Sequence, residues 1–285
     1  MAAIGVQRDM LTTTVDGLWV LQVLTGTEVV ATELGLRPHL PRAEPRRLAL
    51  AHPVMSELRA NGVVGESDDV APAAAEWLAV LSRRDIGLLV TVRTPADALR
   101  RVLLARFAHW WVALERAAER VAIRGSGTAG TEGEAQALIL TEVERLCGVE
   151  PPAPLKPVTL DGAALRAEAT SLDAVRRHVA GQGLDADQRH LLALAADAGT
   201  CRQVSIVAAQ CGVDTGRPTR AHVEPGAVTV IDTPSGRLVA EHLRFAGGTW
   251  IVVSPGTASS IGAAVRHMMR RLPAQQEWYC HRKAV

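Results

Sequence analysis

The chain has 285 residues, of which 48% are hydrophobic, so it can bury a large core as one domain or as two fused halves. Its 31 lysines and arginines nearly balance 30 acidic residues, so charge gives no reason to expect nucleic acid or an anionic membrane as the principal partner. No uninterrupted run of about 18 apolar residues occurs, and Gln7, Arg8 and Asp9 stand where a signal sequence needs an apolar core. These features predict a cytoplasmic protein without membrane insertion.

The part of the chain before residue 86 is predicted to form three helices. A hydroxyl-rich start favours a helix over Thr12–Leu24. After a proline-rich connection, a second helix is expected over Arg46–Ala60, ending at Asn61-Gly62 because glycine readily adopts the left-handed backbone of a helix terminator. A third helix follows Asp68-Asp69, with Pro72 near its first turn.

Short strands are predicted from residue 86 onward, at Gly87–Val92, Val102–Phe107, Trp110–Leu114 and Val121–Ile123. Helix propensity alone would instead allow one long helix over Ala98–Glu119.

The adjacent tryptophans Trp110 and Trp111 should point to opposite faces of a strand. One ring then enters the core, and the other either anchors an interface or is covered by a helix.

The C-terminal half favours the strand interpretation. Its strands are predicted at Gln203–Ala209, Val228–Ile231, Leu238–His242 and Trp250–Val253. Turn sequences separate the last three, with Thr233-Pro234-Ser235-Gly236 before the third strand and Ala246-Gly247-Gly248 before the fourth. This pattern is typical of antiparallel hairpins.

The glycine pattern Gly125–Gly130 has the spacing of a dinucleotide-binding turn, placed between a strand and a helix predicted over Glu132–Leu146. The wider context differs, since a proline-rich segment rather than a second buried strand follows the helix. A structural turn is therefore favoured, and a nucleotide-binding enzyme is kept as the alternative. Because no nucleophile elbow, zinc-protease or P-loop pattern occurs, we expect no enzyme, no cofactor and no metal.

The chain contains two pairs of similar short motifs. One pair is Thr14-Val15-Asp16-Gly17 and Thr159-Leu160-Asp161-Gly162, and the other is Ser126-Gly127-Thr128 and Ser254-Pro255-Gly256-Thr257. These marks predict an internal duplication with a pseudo-twofold axis, with halves at residues 1–150 and 151–285 and a linker at Pro151–Pro154.

Five segments together resemble the EspG family of mycobacterial type VII secretion. They are Leu11–Trp19, Arg83–Val90, Ile231–Arg237, Val253–Thr257 and Arg271–Ala274 with Glu277-Trp278. The resemblance covers nearly the whole chain, and the combination is more specific than any one piece.

The resemblance implies an α+β fold, in which a central antiparallel β-sheet is flanked by helical bundles with a pseudo-twofold relation between the halves. It further implies a cytosolic chaperone that binds PE–PPE heterodimers through the tip of the PPE subunit, shields that tip and directs the pair to secretion. A self-associating structural protein, such as a homodimer that uses the same sheet, remains an alternative.

No short sequence motif marks the partner-binding residues. We predict contacts from the loop with Pro95, Ala96, Asp97 and Leu99, from the helix with Leu191 and Leu194, and from Arg202, Val204, Ile206 and Arg237 on strands. For Leu191, Leu194 and Ile206 the alternative is ordinary core. Arg202 and Arg237 could form forked bonds to a partner's carboxylates or carbonyls, or lie on solvated surface.

Overall fold

A computed structural model describes residues 5–7, 10–97, 99–168, 171–212, 221–245 and 247–283. The helices are α1 Val15–Thr25, α2 Arg46–Leu50, α3 Val54–Ala60, α4 Pro72–Arg83, α5 Glu132–Cys147, α6 Gly162–Glu168, α7 Leu172–Ala180, α8 Ala186–Ala195 and α9 Ala258–Arg270. The strands are β1 Gly5–Gln7, β2 Met10–Thr14, β3 Ile86–Arg93, β4 Arg100–Phe107, β5 Trp110–Ala117, β6 Arg120–Thr128, β7 Val158–Asp161, β8 Arg202–Cys211, β9 Ala221–Val223, β10 Ala227–Thr233, β11 Gly236–Phe245 and β12 Gly248–Pro255. No helix among the described residues is long and apolar enough to cross a membrane.

One antiparallel sheet carries these strands in the order β1-β2-β6-β5-β4-β3-β8-β10-β11-β12-β7, with β9 beside β8. Read outward from the centre, the order is β3, β4, β5, β6, β2 on one side and β8, β10, β11, β12, β7 on the other. The two halves therefore have equivalent strand orders on either side of the β3–β8 pair, as a pseudo-twofold axis requires. This is the antiparallel, pseudo-twofold α+β fold that the sequence predicts, and a single helix over 98–119 is wrong because β4 and β5 pair there, with Val102 opposite Glu115.

Helices α5 and α9 cover one face of the sheet. The core under them takes residues from both central strands, including Leu88 and Val90 of β3 and Val204 and Ile206 of β8, all buried. Met268 of α9 is also fully buried there. Because this core draws on both halves, burial of apolar surface holds the halves together.

Two separate cores lie on the opposite face. Helices α1, α3 and α4 pack over the first half, where Leu103 and Leu114 face them. The bundle of α6, α7 and α8 packs over the second half, where Ile231 and Leu238 face it. The two helical groups leave the central strands between them partly exposed.

Two of the predicted helices differ from the structure. Helix α1 begins at Val15 rather than Thr12, since Thr14 caps it by accepting a 3.1 Å hydrogen bond from the Gly17 amide, and the preceding residues belong to β2. The helix expected over 46–60 is two helices, α2 and α3, because Pro53 lacks the amide that a continuous helix needs. Its predicted end is confirmed, as Gly62 has φ +69°.

The segment predicted as a linker at Pro151–Pro154 is packed against the sheet. The Arg237 amide donates to the Pro151 carbonyl at 2.7 Å, and the Ala153 amide donates to the Arg237 carbonyl at 2.8 Å. Ala153 is 1% exposed. The connection between the halves is thus held by the β10–β11 turn that it touches.

The C-terminal segment is tied to the ends of β3 and β4 by a buried ion pair. Arg106, fully buried, lies 3.7 Å from the Asp85 carboxylate and donates to the Trp278 carbonyl at 2.8 Å. Asp85 also accepts from the Lys283 amide at 2.9 Å. Burial lowers the pKa of Arg106 to about 10, which still leaves the guanidinium charged at neutral pH.

We expect Gly236→Ala to destabilise the fold strongly. Gly236 has φ +113°, and an added Cβ would lie 2.9 Å from the Ala153 backbone, so strain and overpacking together should cost roughly 3 kcal/mol. Gly62→Ala is the matched control, because its φ is +69° with open space around the Cβ, and it should cost about 1 kcal/mol. Urea unfolding of both variants measures the difference, and equal losses would contradict the packing of the 151–153 segment described above.

Candidate partner-binding surface

The two central strands have one covered face and one open face. Along β8, Val204 and Ile206 are buried, whereas Gln203, Ser205 and Val207 are partly exposed. Strand β3 behaves in the same way, with Leu89 and Thr91 on the partly exposed side. The register sets Leu89 opposite Val207 and Thr91 opposite Ser205. We call Leu89, Thr91, Gln203, Ser205 and Val207 the central strip.

The loop between β3 and β4 lies at one end of the central strip. Pro95, Ala96 and Asp97 are exposed, and Leu99 is 42% exposed. The Thr94 hydroxyl donates to Asp97 Oδ2 at 2.9 Å and accepts from the Asp97 amide at 3.2 Å, which closes the turn. These predicted site residues are therefore available on the surface; Ala98, which precedes Leu99, lies outside the described residues.

Two arginines face the same side at this end. Arg101 pairs with Thr91 in the ladder, and Arg93 pairs with Gln203, so all four side chains share the open face. Both arginines are exposed, and within the described ranges neither has an ion-pair or hydrogen-bond partner. Their guanidinium groups can therefore pair with carboxylates supplied from outside.

The helix α8 borders the strip from the other half. The side-chain amide Nε2 of Gln203 in the strip donates to the Ala195 carbonyl at the end of α8, at 3.4 Å. Leu191 is 4% exposed and belongs to the core beneath the bundle, as the alternative interpretation allowed, whereas Leu194 is partly exposed.

The prediction that Val204 and Ile206 contact a partner is off by one position along β8. Both side chains point into the core under α5 and α9, so neither offers surface to a partner. Their neighbours Ser205 and Val207 occupy the open face instead, since successive side chains alternate across a sheet. Sequence reasoning missed these two and Leu89 and Thr91, although the polar positions Gln203 and Ser205 mark which side of β8 is not core.

Arg237 was also predicted to contact a partner, but it is 5% exposed and makes its hydrogen bonds inside the protein. Its Nε donates to Asp232 at 2.6 Å, and its two terminal nitrogens donate to the carbonyls of Cys147 and Gly148 at 3.0 Å each. Burial works to lower the pKa of Arg237, and Asp232 raises it overall. The forked geometry that the sequence suggested for a partner is used inside the chain, on the last carbonyls of α5.

Arg202 is intermediate between these cases. Its side chain is 40% exposed, lies 3.8 Å from Asp232 and donates to the Cys147 carbonyl. Burial raises the pKa of the Cys147 thiol to about 11, so this cysteine stays protonated beside the two arginines at neutral pH. Arg202 thus has both an internal role and an accessible surface.

The glycine turn forms a helix start, as the favoured interpretation predicts. Strand β6 continues through Thr128, and Thr131 caps α5. The Glu134 carboxylate accepts from the amides of Gly130 at 2.8 Å and Thr131 at 3.1 Å, and these bonds hold the pKa of Glu134 below its ordinary value. The amides that would cradle a phosphate are already bonded to a carboxylate of the chain itself. Among the described residues no cluster of three metal-ligating side chains occurs.

We expect Arg237→Lys to lower the free energy of unfolding by about 2 kcal/mol. A lysine keeps the charge but loses the fork that joins Asp232 to the end of α5. Arg101→Lys, the matched control on the exposed end of β4, should change it by less than about 0.5 kcal/mol. Urea unfolding of the isolated protein checks both, and an Arg237→Lys variant as stable as the parent would contradict the internal role.

Comparison with known proteins relates the chain to one protein family. The model of the EspG family matches residues 14–267. The chain is 44% identical to the ESX-2 secretion-associated protein EspG2 of Mycobacterium tuberculosis, over 97% of this chain and 100% of the relative. It is 31% identical to the ESX-3 secretion-associated protein EspG3 of Mycolicibacterium smegmatis, over 92% of this chain and 86% of that protein.

A solved structure shares the fold. It is the Mycobacterium tuberculosis type VII secretion system chaperone EspG5 in complex with the PE25-PPE41 dimer, with a TM-score of 0.73 and 21% identity, covering 95% of this chain and 99% of that one. The match to the family model and the relatives together show that the chain belongs to the EspG family.

Proposed function

We propose that this protein is a cytoplasmic chaperone and adaptor specific to type VII secretion. It binds the tip of the PPE subunit of PE–PPE heterodimers, prevents their aggregation and directs them to the secretion machinery. Membership of the EspG family supports this role, as does the EspG5 chaperone that carries the same fold and was solved with a PE–PPE dimer. The role needs neither a cofactor nor covalent chemistry, so the protein acts as a binding module rather than an enzyme.

The observation that carries the proposal is the open central strip. An antiparallel sheet whose middle strands are covered on one face only presents a flat surface of mixed character, with Leu89 and Val207 supplying apolar area beside the hydroxyls of Thr91 and Ser205. Burying the apolar groups favours association, and the hydroxyls can satisfy polar groups of the client at the same interface. Because binding needs no rearrangement of the core, release leaves the chaperone folded.

Charge at one end of the strip gives selectivity. Arg93 and Arg101 have no partner within the described part of the chain, so a client carboxylate between them gains forked hydrogen bonds without breaking existing ones. A client with a basic residue at that point is repelled instead. The exposed loop residues Pro95, Ala96, Asp97 and Leu99, together with Leu194 and Arg202, complete the proposed contact surface.

The duplicated halves explain why the surface lies at the centre. We assign residues 1–150 and 151–285 as the two halves of one chaperone domain, because each contributes one central strand and one helical group beside it. Leu191, Val204, Ile206 and Arg237 support the surface from the interior. Neither half alone would provide both borders of the strip.

Co-expression with candidate PE–PPE pairs tests the function. We expect a stable complex of one chaperone, one PE and one PPE subunit by size-exclusion chromatography with mass determination. EspG5 with PE25–PPE41 serves as the positive control. If every pair elutes separately while the control complex forms, the chaperone proposal fails; a homodimer mass under the same conditions would favour self-association.

Val207→Asp and Arg101→Glu test the surface. Each should weaken client binding at least tenfold, because one buries an unpaired carboxylate and the other replaces attraction by repulsion. The control Arg266→Glu makes the same charge change on α9, which packs on the opposite face of the sheet. Isothermal titration of the purified variants gives the affinities. Full binding by both strip variants, with the complex intact, would move the interface elsewhere on the protein.

A further inference from the structure

A concave surface lies on the first half, apart from the flat central strip. It is a cleft of about 650 Å³ between helix α4 and the ends of β4, β5 and β6. Its lining includes three aromatic rings, one carboxylate and two glycines, which are Trp77, Phe107, Trp110, Glu76, Gly125 and Gly127. The volume and the apolar lining fall within the range found for ligand-binding clefts.

One of these glycines lies directly against an aromatic wall of the cleft. A Cβ on Gly125 would lie 3.1 Å from Nε1 of Trp77, whereas a Cβ on Gly127, which has φ +118°, would lie 3.4 Å from Leu138 of α5. The strand register also shifts between Trp111 and Val112, which face Gly127 and Gly125 and leave Ser126 as the extra residue of a bulge. Bulges re-aim side chains. The cap of α5 does not require Gly125, so this glycine has a separate structural consequence in the cleft.

The aromatic walls are accessible and suited to a cation. Trp110 is 51% exposed, whereas its neighbour Trp111 is 1% exposed. The centroid of the His109 ring lies 5.2 Å from that of the Trp110 ring. The guanidinium of Arg83 already lies 6.0 Å from the Phe107 ring centroid. Aromatic faces bind ammonium and guanidinium groups through the ring quadrupole.

A carboxylate completes the arrangement. Glu76 lines the cleft from α4, is exposed, and has no hydrogen-bond or ion-pair partner among the residues that the structure describes. We propose that this cleft binds an apolar segment of a second protein through an arginine or lysine side chain. The aliphatic stem of that side chain packs on Trp110 and Trp77, and its charged head pairs with Glu76.

The site is independent of the central strip. Phe107 lies four residues along β4 from Leu103, which pairs with Leu89 of the strip, a separation of about 13 Å at the usual rise of a strand. A client on the strip and a basic segment in the cleft can therefore be bound at the same time. Two such sites would let the protein bridge two partners. Binding in the cleft does not depend on what the strip binds.

The full-length protein labelled with ¹⁵N at its tryptophan indoles provides the test. The probe is a blocked amphipathic dodecapeptide of leucine and alanine with two arginines, compared with the same peptide carrying citrulline, which has the shape of arginine without its charge. We expect the arginine peptide to shift the indole resonances of Trp77 and Trp110 and to bind at least fivefold more tightly than the citrulline peptide. Trp250, which is 38% exposed on β12, is the internal reference and should not shift.

Two variants separate the contributions. Trp110→Ala should abolish the shift at Trp77 and reduce affinity at least tenfold. Glu76→Gln should weaken the arginine peptide severalfold and leave the citrulline peptide unchanged. The matched control Trp250→Ala should bind both peptides like the parent. The absence of any shift at millimolar arginine peptide, equal binding of the two peptides, or shifts as large at Trp250 would each overturn the proposal.

Discussion

The antiparallel ladder between β3 and β8 is the interaction on which the rest of the structure depends. It runs from Ile86 opposite Gln210 to Arg93 opposite Gln203 and joins strands that are more than 100 residues apart in the chain. Apart from β1 and β9, the other strands are added outward from this pair in the same order on both sides. A continuous sheet results, and neither half has an exposed edge at the centre where an unpaired strand would invite aggregation.

This ladder also determines where a partner can bind. Each half places its longest covering helix, α5 or α9, on one face, and these two helices meet over the centre and form a shared core. The remaining helices lie over the outer strands on the other face and form two cores that do not merge. The uncovered strip is therefore a consequence of duplication. Two copies of a unit that covers only its own outer strands leave a gap at the axis between them.

Much of this architecture could be predicted from local sequence, because turns and hydrophobic alternation are local properties. The hairpin around Thr233–Gly236 and the paired repeats were sufficient for the sheet and its symmetry. The side of β8 that faces the core was not predictable in the same way. Its pattern of Val204, Ser205, Ile206 and Val207 shows two faces, but which face is covered depends on α5 and α9, which are distant in sequence. Arg237 was misplaced for a similar reason, since its acceptors Cys147 and Gly148 lie 90 and 89 residues away.

The glycine pattern at 125–130 shows how one local sequence can serve unrelated purposes. Small residues before a helix permit a phosphate to approach the first amides, but they equally permit a tight strand-to-helix turn. The residue that separates these possibilities is Glu134, which lies outside the pattern and accepts from the amides of Gly130 and Thr131. Once those amides are bonded, the first two glycines need another explanation. For Gly125 the contact of an added Cβ with Trp77 provides it, because this contact links the glycine to the shape of the aromatic cleft, whereas an added Cβ on Gly127 would meet Leu138 of α5.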